Sequence, residues 1–356
     1  MRGYRLVAGH TVAGALARSG RENVPSPVGS GDVPEVLIIG AGIAGLAAAR
    51  ELRGRGRSVR VLEKSRGVGG RAATRRLHGV HVDHGAQFFT VRDERLQALV
   101  DGWLESGHVV AWMHGVPTWT ADRGVQPPGP NAHPRFACPG GMSTLGKLLA
   151  EGTDVEHGAR AVAVRRQGTG WRVELEDGSA RDAPQVLLTP PLPQTRALLA
   201  DLPLTNDIQR ELDAVRYAPC FAVMAGYSER DAPDWPAVRP SDHDKIAWIA
   251  RDDTKRDDRS TCVLVIHSTG AHARSRFDDP PDAVADELLA DASEIVSWAG
   301  RPAWRDVQRW RYALTEQVHP DPWLQVEDGL ALAGDAFGEG KIEGAFLSGL
   351  EAGRHL

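Results

Sequence analysis

The chain of 356 residues is 42% hydrophobic, enough for a packed core and for one large or two ordinary domains. Its 42 basic and 47 acidic residues are mixed along the sequence and sum to a net charge of −5, so there is no basic field to draw a nucleic acid or an acidic membrane, and neither is expected as a partner. Cys138, Cys220 and Cys262 are far apart and form no CxxC or Cys/His cluster, which argues against a disulfide framework and a structural zinc and for a reducing compartment.

Residues 1–33 are rich in Gly, Ser, Pro and Arg, carry no acid before Glu22 and read as a disordered tail. Their one apolar candidate, residues 6–16, is interrupted by Gly9, His10, Thr11 and Gly14, unlike the apolar run of a secretory signal. No later stretch is apolar for the ~18 residues that a spanning helix needs, and the expected location is the cytoplasm.

Val36-Leu37-Ile38-Ile39 predicts a strand buried on both faces of a parallel sheet, and Gly40-Ala41-Gly42-Ile43-Ala44-Gly45 follows it. At this spacing Gly40 permits a tight turn, Gly42 lets backbone approach a pyrophosphate, and Gly45 lets the next helix pack closely; Ala44 belongs to the same cofactor-binding turn. A helix continues through residues 46–52 until Gly54 and Gly56 stop it, its N-terminal N–H groups facing the phosphates. A second strand, Val59-Arg60-Val61-Leu62, ends at Glu63, 18 residues after Gly45, where a carboxylate can accept hydrogen bonds from both ribose hydroxyls. Strand, glycines, helix, strand and acid together define a dinucleotide site, without separating NAD from FAD.

Two further segments bear on that choice. Lys64-Ser65-Arg66-Gly67-Val68-Gly69-Gly70-Arg71 is a glycine-rich loop with basic residues, in which Gly69 and Gly70 allow close backbone approach and Arg71 can fork onto phosphate oxygens. Near the other end, Leu330-Ala331-Leu332-Ala333 reads as a buried strand delivering Gly334-Asp335, and Glu343-Gly344-Ala345 opens an apolar helix through Phe346, Leu347 and Leu350. The first loop resembles the second glycine motif of the FAD-dependent amine oxidase superfamily, and the last segment resembles its carboxy-terminal flavin motif. Carried over, the resemblance implies that Asp335 binds the ribityl chain and that Gly344-Ala345, with Glu343 beside them, face the flavin pyrimidine. A helix N-terminus there would stabilise the charge that builds near N1 on reduction.

Within that superfamily the chain resembles the renalase family, its bacterial branch most. The stretches that carry the resemblance are Lys64-Ser65-Arg66-Gly67 with Gly69-Gly70-Arg71, Asp83-His84-Gly85-Ala86-Gln87-Phe88-Phe89-Thr90, Trp248-Ile249-Ala250-Arg251, Val265-Ile266-His267-Ser268-Thr269, Arg309-Trp310-Arg311-Tyr312-Ala313 and the segment from Gly334 to Gly349. It implies a flavoprotein oxidase with non-covalent FAD that takes hydride from 2- or 6-dihydro isomers of NAD(P)H and passes the electrons to oxygen, giving NAD(P)+ and hydrogen peroxide. Small-molecule dihydronicotinamide dinucleotides and oxygen are then the partners. It further implies that Gly85, Ala86 and Gln87 turn against the isoalloxazine, that Lys64 belongs to the cofactor loop, and that backbone near Val162 touches adenine.

The fold class expected is α/β, α+β overall, with a discontinuous Rossmann-like FAD-binding domain at 34–90, 139–195 and 325–356. A strand-rich substrate domain with helices, at 91–138 and 196–324, would roof the flavin. Within the first, a helix at 145–150, a strand at 161–164, a hairpin around Trp171-Arg172-Val173-Glu174-Leu175 and Asp177-Gly178, and a returning strand at 185–190 are predicted. Within the second, apolar runs at 221–224, 246–249 and 262–266 and the alternating Trp310, Tyr312 and Leu314 read as strands, and Val284, Leu288 and Leu289 as one helix face.

Trp248 and His267 are the catalytic candidates, as pocket residues rather than acid and base. Trp248 reads equally as core or as a wall for a nicotinamide, and His267, ending an apolar strand, reads first as a hydrogen-bonded structural histidine. His81, Asp83 and His84 offer no fourth ligand and no metal is expected. Arg251, Lys255 and Arg256, in a run with Asp252, Asp253, Asp257 and Asp258, read first as a solvated loop and second as a phosphate clamp. The alternatives are an FAD-dependent amine oxidase, disfavoured because no tyrosine follows Tyr312 although Trp323 or Phe337 could stand in, and a flavin-binding redox sensor, for which no interaction module is evident.

Overall fold

A computed structural model describes residues 33–228, 233–257 and 259–356; residues 1–32 of the expected tail and Asp258 of the charged run lie outside the described residues. The strand Val36–Ile39 is buried throughout and sits near the middle of a six-stranded sheet. It pairs in parallel with Val59–Glu63 on one side and Gln185–Leu188 on the other; Asp154–His157 extends one edge, and Leu330–Leu332 with antiparallel Leu324–Glu327 the other. Alternation along the central strand sorts its side chains into two cores: Val36 and Ile38 into one, Leu37 and Ile39 into the other.

The first core is closed by the helices Ile43–Gly54, Ser143–Ala150 and Lys341–His355, together with Leu96 and Val100 of the helix Glu94–Glu105 and Phe136 of the strand Pro134–Ala137. Side chains of the three-stranded antiparallel sheet Ala161–Gln167, Gly170–Leu175 and Ala180–Ala183 close the second, around fully buried Trp171. The last helix lies almost in contact with the backbone of the first: a Cβ at Gly349 would sit 1.9 Å from the carbonyl oxygen of Ala44, so only glycine fits. That approach sets the starts of the two helices side by side, although they are 298 residues apart in sequence (43 and 341).

A seven-stranded sheet forms the second layer, in the order Trp304–Gln317, Arg216–Tyr227, Cys262–Ser268, Ile246–Arg251, Ala237–Pro240, Thr118–Thr120 and Gly124–Gln126. One face carries Phe221, Val223, Ile249 and Ile266, covered by Val284, Leu288 and Leu289 of the helix Pro281–Ala292. The other face packs on the two-stranded sheet of Thr74–Leu77 and Val80–Asp83, with Val82 against Met224, Val263 and Val265. The predicted strands in both layers are present, and the mixed α/β architecture with a Rossmann-like sheet matches the expected fold class. The carboxy-terminal helix begins at Lys341, after Gly340 in the left-handed region at φ 66°, so Gly344 and Ala345 lie one turn inside it rather than opening it.

Candidate cofactor and substrate site

At the end of the first strand the chain turns through Gly40, whose N–H donates to the Leu62 carbonyl at 2.8 Å. The helix Ile43–Gly54 starts from Gly42 with no side chain capping its first amides, and a Cβ built on Gly42 would meet nothing within 4 Å. Uncapped N–H groups at the positive end of a helix dipole, open on the side where a side chain would stand, form the cradle that a pyrophosphate fits. The second glycine loop folds onto this turn: Gly69 donates to the Ala41 carbonyl at 2.8 Å, and a Cβ on Gly70 would stand 3.3 Å from the Gly42 Cα. Gly45 packs against the Gly40 carbonyl, and Ala44 lies beneath Gly349, so those two shape the turn from behind.

Glu63 is buried, and both its oxygens are engaged by backbone: Oε2 accepts from Ala41 N and Oε1 from Ser65 N, each at 2.8 Å. The carboxylate clasps the two glycine loops together, and it has further lone pairs with which it could hold a ribose. Lys64 points away, its Nζ donating to Gln194 Oε1 at 3.2 Å in an exposed position. In the three-stranded sheet, the strand Ala161–Gln167 bulges between Ala161 and Ala163, which leaves Val162 outside the ladder and 45% exposed. Backbone freed in this way is what an adenine edge needs.

Arg71, expected on the phosphates, and Asp335, expected on the ribityl chain, pair with each other. The guanidinium forks onto both Asp335 oxygens and its Nη1 also donates to the Tyr312 carbonyl at 2.9 Å. Thr315 Oγ1 donates to Asp335 Oδ2 at 2.7 Å and Tyr217 OH to Oδ1 at 3.3 Å. Burial, then the Asp335 charge, push the Tyr217 hydroxyl well above its usual range, so it remains a donor. Tyr217 and Tyr312 meet edge to face, with planes 68° apart, rather than as parallel walls; Phe337 is core, and Trp323 lies against His355. Tyr217 and Thr315 carried no signal in the sequence beyond their strands.

The turn after Asp83 is held by Arg71, whose carbonyl accepts from Ala86 N at 2.9 Å; a Cβ on Gly85 would lie 1.9 Å from that oxygen. Gln87 is buried, its Nε2 donating to the Asp83 carbonyl at 2.6 Å, so it locks the turn from within. Glu343 has a similar role: Oε1 accepts from Arg92 N at 2.6 Å and Asp93 N at 2.8 Å, tying the last helix to the start of the helix Glu94–Glu105. Its neighbours Gly344 and Ala345 remain in the first turns of the last helix, which has no side-chain cap. Gly334, at φ 140°, donates to Ser348 Oγ at 2.8 Å and fixes the bend before Asp335.

Above this turn the two catalytic candidates come together as cross-strand partners, Trp248 opposite His267. Trp248 is 6% exposed, with the Phe88 ring 5.4 Å and the Trp112 ring 6.4 Å from its own. Trp112 Nε1 donates to Thr254 Oγ1 at 2.8 Å, and Trp310, stacked on His84 at 5.4 Å, donates to the His84 carbonyl at 2.8 Å. Three buried polar atoms, Trp248 Nε1, His267 Nε2 and His84 Nδ1, have no hydrogen-bond partner among the described residues. Such atoms are costly unless something polar meets them, and three beside the aromatic side chains suit a substrate with hydrogen-bonding groups. Burial, then the charges of Lys255 and His84, lower His267 to about 3, while burial and Arg75 lower His84 to about 4. Both imidazoles are neutral at physiological pH, and the reading of His267 as a hydrogen-bonded structural residue does not hold at Nε2.

Neither reading of the charged run survives. Lys255 is fully buried, its Nζ 2.9 Å from Asp252 Oδ1, 3.1 Å from Gln87 Oε1 and 3.3 Å from Asp83 Oδ2. Arg256 bridges the same two carboxylates at 2.7 and 2.8 Å, and Arg251 pairs with Asp253 at 2.8 Å. The sequence showed alternating charge, which usually means a solvated loop, but the 3-10 turn Asp252–Lys255 folds the alternation inward into a neutral quartet under the 83–88 turn. Burial would raise Asp83; Lys255, Arg256 and the Met142 N–H outweigh it and hold the acid below its usual range. Asp252 is raised, by burial first and by Asp83 beside it. His81 is exposed beside Arg76, remote from Asp83 in the quartet, and no cluster of three metal-ligating residues occurs among the described residues. No described helix is long and apolar enough to cross a membrane.

Comparison with known proteins agrees with this geometry. The NAD(P)-binding Rossmann-like domain profile matches residues 38–103, and that of flavin containing amine oxidoreductase matches residues 119–356. Renalase from Mus musculus is 26% identical over 336 residues, covering 88% of this chain and 96% of its own length. Putrescine oxidase from Kocuria rosea is 43% identical over 67 residues, 19% of this chain and 14% of that protein. In fold, wild-type putrescine oxidase bound to putrescine superposes with a TM-score of 0.69 at 17% identity, over 90% of this chain and 98% of the other. The match to the flavin containing amine oxidoreductase model over residues 119–356 and the likeness to renalase show an FAD-dependent oxidoreductase, with FAD its cofactor. More particularly, the chain belongs to the flavin containing amine oxidoreductase family.

Proposed function

We propose that this flavoprotein oxidase takes hydride from 2- or 6-dihydro isomers of NAD(P)H, yielding NAD(P)+ and hydrogen peroxide. Residues 34–90, 139–195 and 325–356 would carry the cofactor and residues 91–138 and 196–324 the substrate, in the cytoplasm. FAD, held without a covalent bond, would accept the hydride and return two electrons to oxygen. The observation that carries the reading is an aromatic cluster with no net charge beside it: the contacting rings of Phe88, Trp112 and Trp248, two imidazoles lowered to about 3 and about 4, and the nearby carboxylates Asp83 and Asp252 bound to cations.

A dihydropyridine becomes an aromatic pyridinium when hydride leaves, so it needs no base, and flat walls suit it. An amine must first be neutral and needs help in becoming so. The match to mouse renalase along 96% of its length supports the same reading. Anaerobic mixing tests it: either dihydro isomer should bleach the oxidised flavin within seconds, and ordinary 4-dihydro NADH far more slowly, because misplacing the donor carbon by about 1 Å costs roughly a hundredfold. Oxygen should then restore the colour with one peroxide per reductant. Rapid bleaching by an amine with none by the isomers would replace this reading with amine oxidation, and a flavin that reacts once without turnover would indicate a sensor.

A further inference from the structure

With Lys255 and Arg256 bound to carboxylates, any cation that meets an anionic substrate must lie elsewhere. Phe89 and Phe136 exchange both backbone hydrogen bonds, each 2.9 Å, and their side chains enter the core. Alternation across this bridge places Phe88 and Arg135 on its opposite side, and Arg92 is near enough for its charge to act on Arg135. The Arg135 guanidinium lies 5.6 Å from the centre of the Phe88 ring, and its hydrogen bonds are to two carbonyls, of His133 and Pro134. Arg239 comes from the second sheet, two residues after Ala237, which packs on Trp248, and so shares the face that carries the aromatic cluster. Burial first, then Arg239 and Arg92, push the Arg135 guanidinium below its usual range, as expected for like charges drawn together. Among the described residues none of these three arginines forms an ion pair, although arginine pairs with acids at most other places in the molecule.

We propose that Arg92, Arg135 and Arg239 anchor the diphosphate of the dinucleotide substrate beside the aromatic cluster, so that its reducing ring is brought against Phe88, Trp112 and Trp248. The assignment rests on the dihydronicotinamide reading and deepens it. Forked guanidinium groups suit phosphate oxygens, and a protein of net charge −5 needs a local positive patch to draw in a polyanion. Trp248 Nε1, buried and unpartnered, is available there as a donor to the ring's carboxamide.

Two measurements on the FAD-loaded protein test it. Inorganic pyrophosphate should bind the wild type in calorimetry, and an Arg135→Ala/Arg239→Ala double variant about 10- to 100-fold more weakly, the loss expected for charge-assisted bonds. Arg239 is exposed, so Arg239→Ala alone keeps the test independent of folding and should show part of the loss. In anaerobic reduction, the double variant should raise the half-saturating concentration of a dihydro-NAD isomer by a similar factor, with the limiting rate changed less than about twofold. The corresponding dihydronicotinamide riboside, which has no phosphate, should show no such shift. Unchanged pyrophosphate binding, an equal effect on the riboside, or a loss in limiting rate alone would each overturn the anchor. If neither dihydro compound bleached the wild-type flavin, the proposed function would fail instead, and the pyrophosphate titration would still decide the arginines.

Discussion

Replacing Glu63 with Gln separates two roles that the geometry gives one carboxylate. Both oxygens accept backbone N–H groups at 2.8 Å, from Ala41 and Ser65, in a buried position. Glutamine keeps the shape, yet its NH2 must face one of those donors, so one charge-assisted bond of about 1.5–3 kcal/mol is lost and a buried N–H is orphaned. Because those bonds exist in the protein itself, the apoprotein should lose stability by about that amount in chemical denaturation. Bonds to ribose become weaker in addition, and at about 1.4 kcal/mol per decade the dissociation constant for FAD should rise about 10- to 100-fold. Quenching of FAD fluorescence on titration into apoprotein measures the second quantity. An affinity within threefold of wild type, with the denaturation loss intact, would show that Glu63 only clasps the loops and would refute its assignment to the ribose.

Gly349→Val should abolish FAD retention and lower the melting temperature, because its Cβ would fall 1.9 Å from the Ala44 carbonyl and push the last helix off the first. Lys255→Met leaves Asp83 and Asp252 with Arg256 alone and should destabilise by about 3–5 kcal/mol at neutral pH. Asp252 is already raised, so on acidification the folded variant takes up a proton before the unfolded chain does, and the deficit should shrink as pH falls, in denaturation at pH 7 and pH 5. His267 and His84 have the opposite sign: with folded values of about 3 and about 4 they bind fewer protons than the unfolded chain, so they withdraw stability as pH falls below about 6.5. Neither titrates between pH 6 and 8, so the limiting rate of flavin reduction should be flat there by stopped flow. Acid precipitation should leave the yellow colour in the supernatant, since Cys138, Cys220 and Cys262 all precede the 334–349 segment; colour kept on the pellet would contradict non-covalent FAD.

What could be read in advance was whatever local chemistry dictates. Val36–Ile39, Gly40 and Gly42, and Glu63 form a continuous segment in which each residue's place follows from its neighbours, and the structure brings the buried strand, the glycine turn and the acid together. The fold class followed from the same segment with its distant partner at Asp335. Residues whose part is set by contacts across the chain were opaque. Arg71 was read against a phosphate, but its fork lies on Asp335, 264 positions away. Glu343 was assigned to the flavin, while its carboxylate caps a helix 250 positions earlier. The charged run misled because alternation of sign looks alike on a solvated loop and in a buried quartet; only the placement of Asp83 beside it distinguishes the two. Arg135 and Arg239 gave no signal at all, because a lone arginine on a short strand is defined by which acids it fails to meet.

The distribution of charge then bears on substrate choice more than any single residue does. Asp83, Asp252, Lys255 and Arg256 sum to zero and lie within hydrogen-bonding distance of one another, so their fields largely cancel a short way off. His84 and His267 add no charge at neutral pH, since a buried imidazole beside Arg75 or Lys255 resists a proton. Among the described residues the aromatic cluster therefore has no unpaired carboxylate to attract a cation, and the charge felt at its own residues, that of Lys255 at His267 and over the Trp112 ring, is positive, as are Arg92, Arg135 and Arg239 beside it. A protonated amine would be repelled there. On the proposed function a dinucleotide would meet the reverse: its phosphates would be attracted where the arginines stand, and its reduced ring, uncharged until the hydride has gone, would lie against neutral aromatic side chains. A pyridinium formed there would gain no counter-ion, which would favour its departure once the hydride has been transferred.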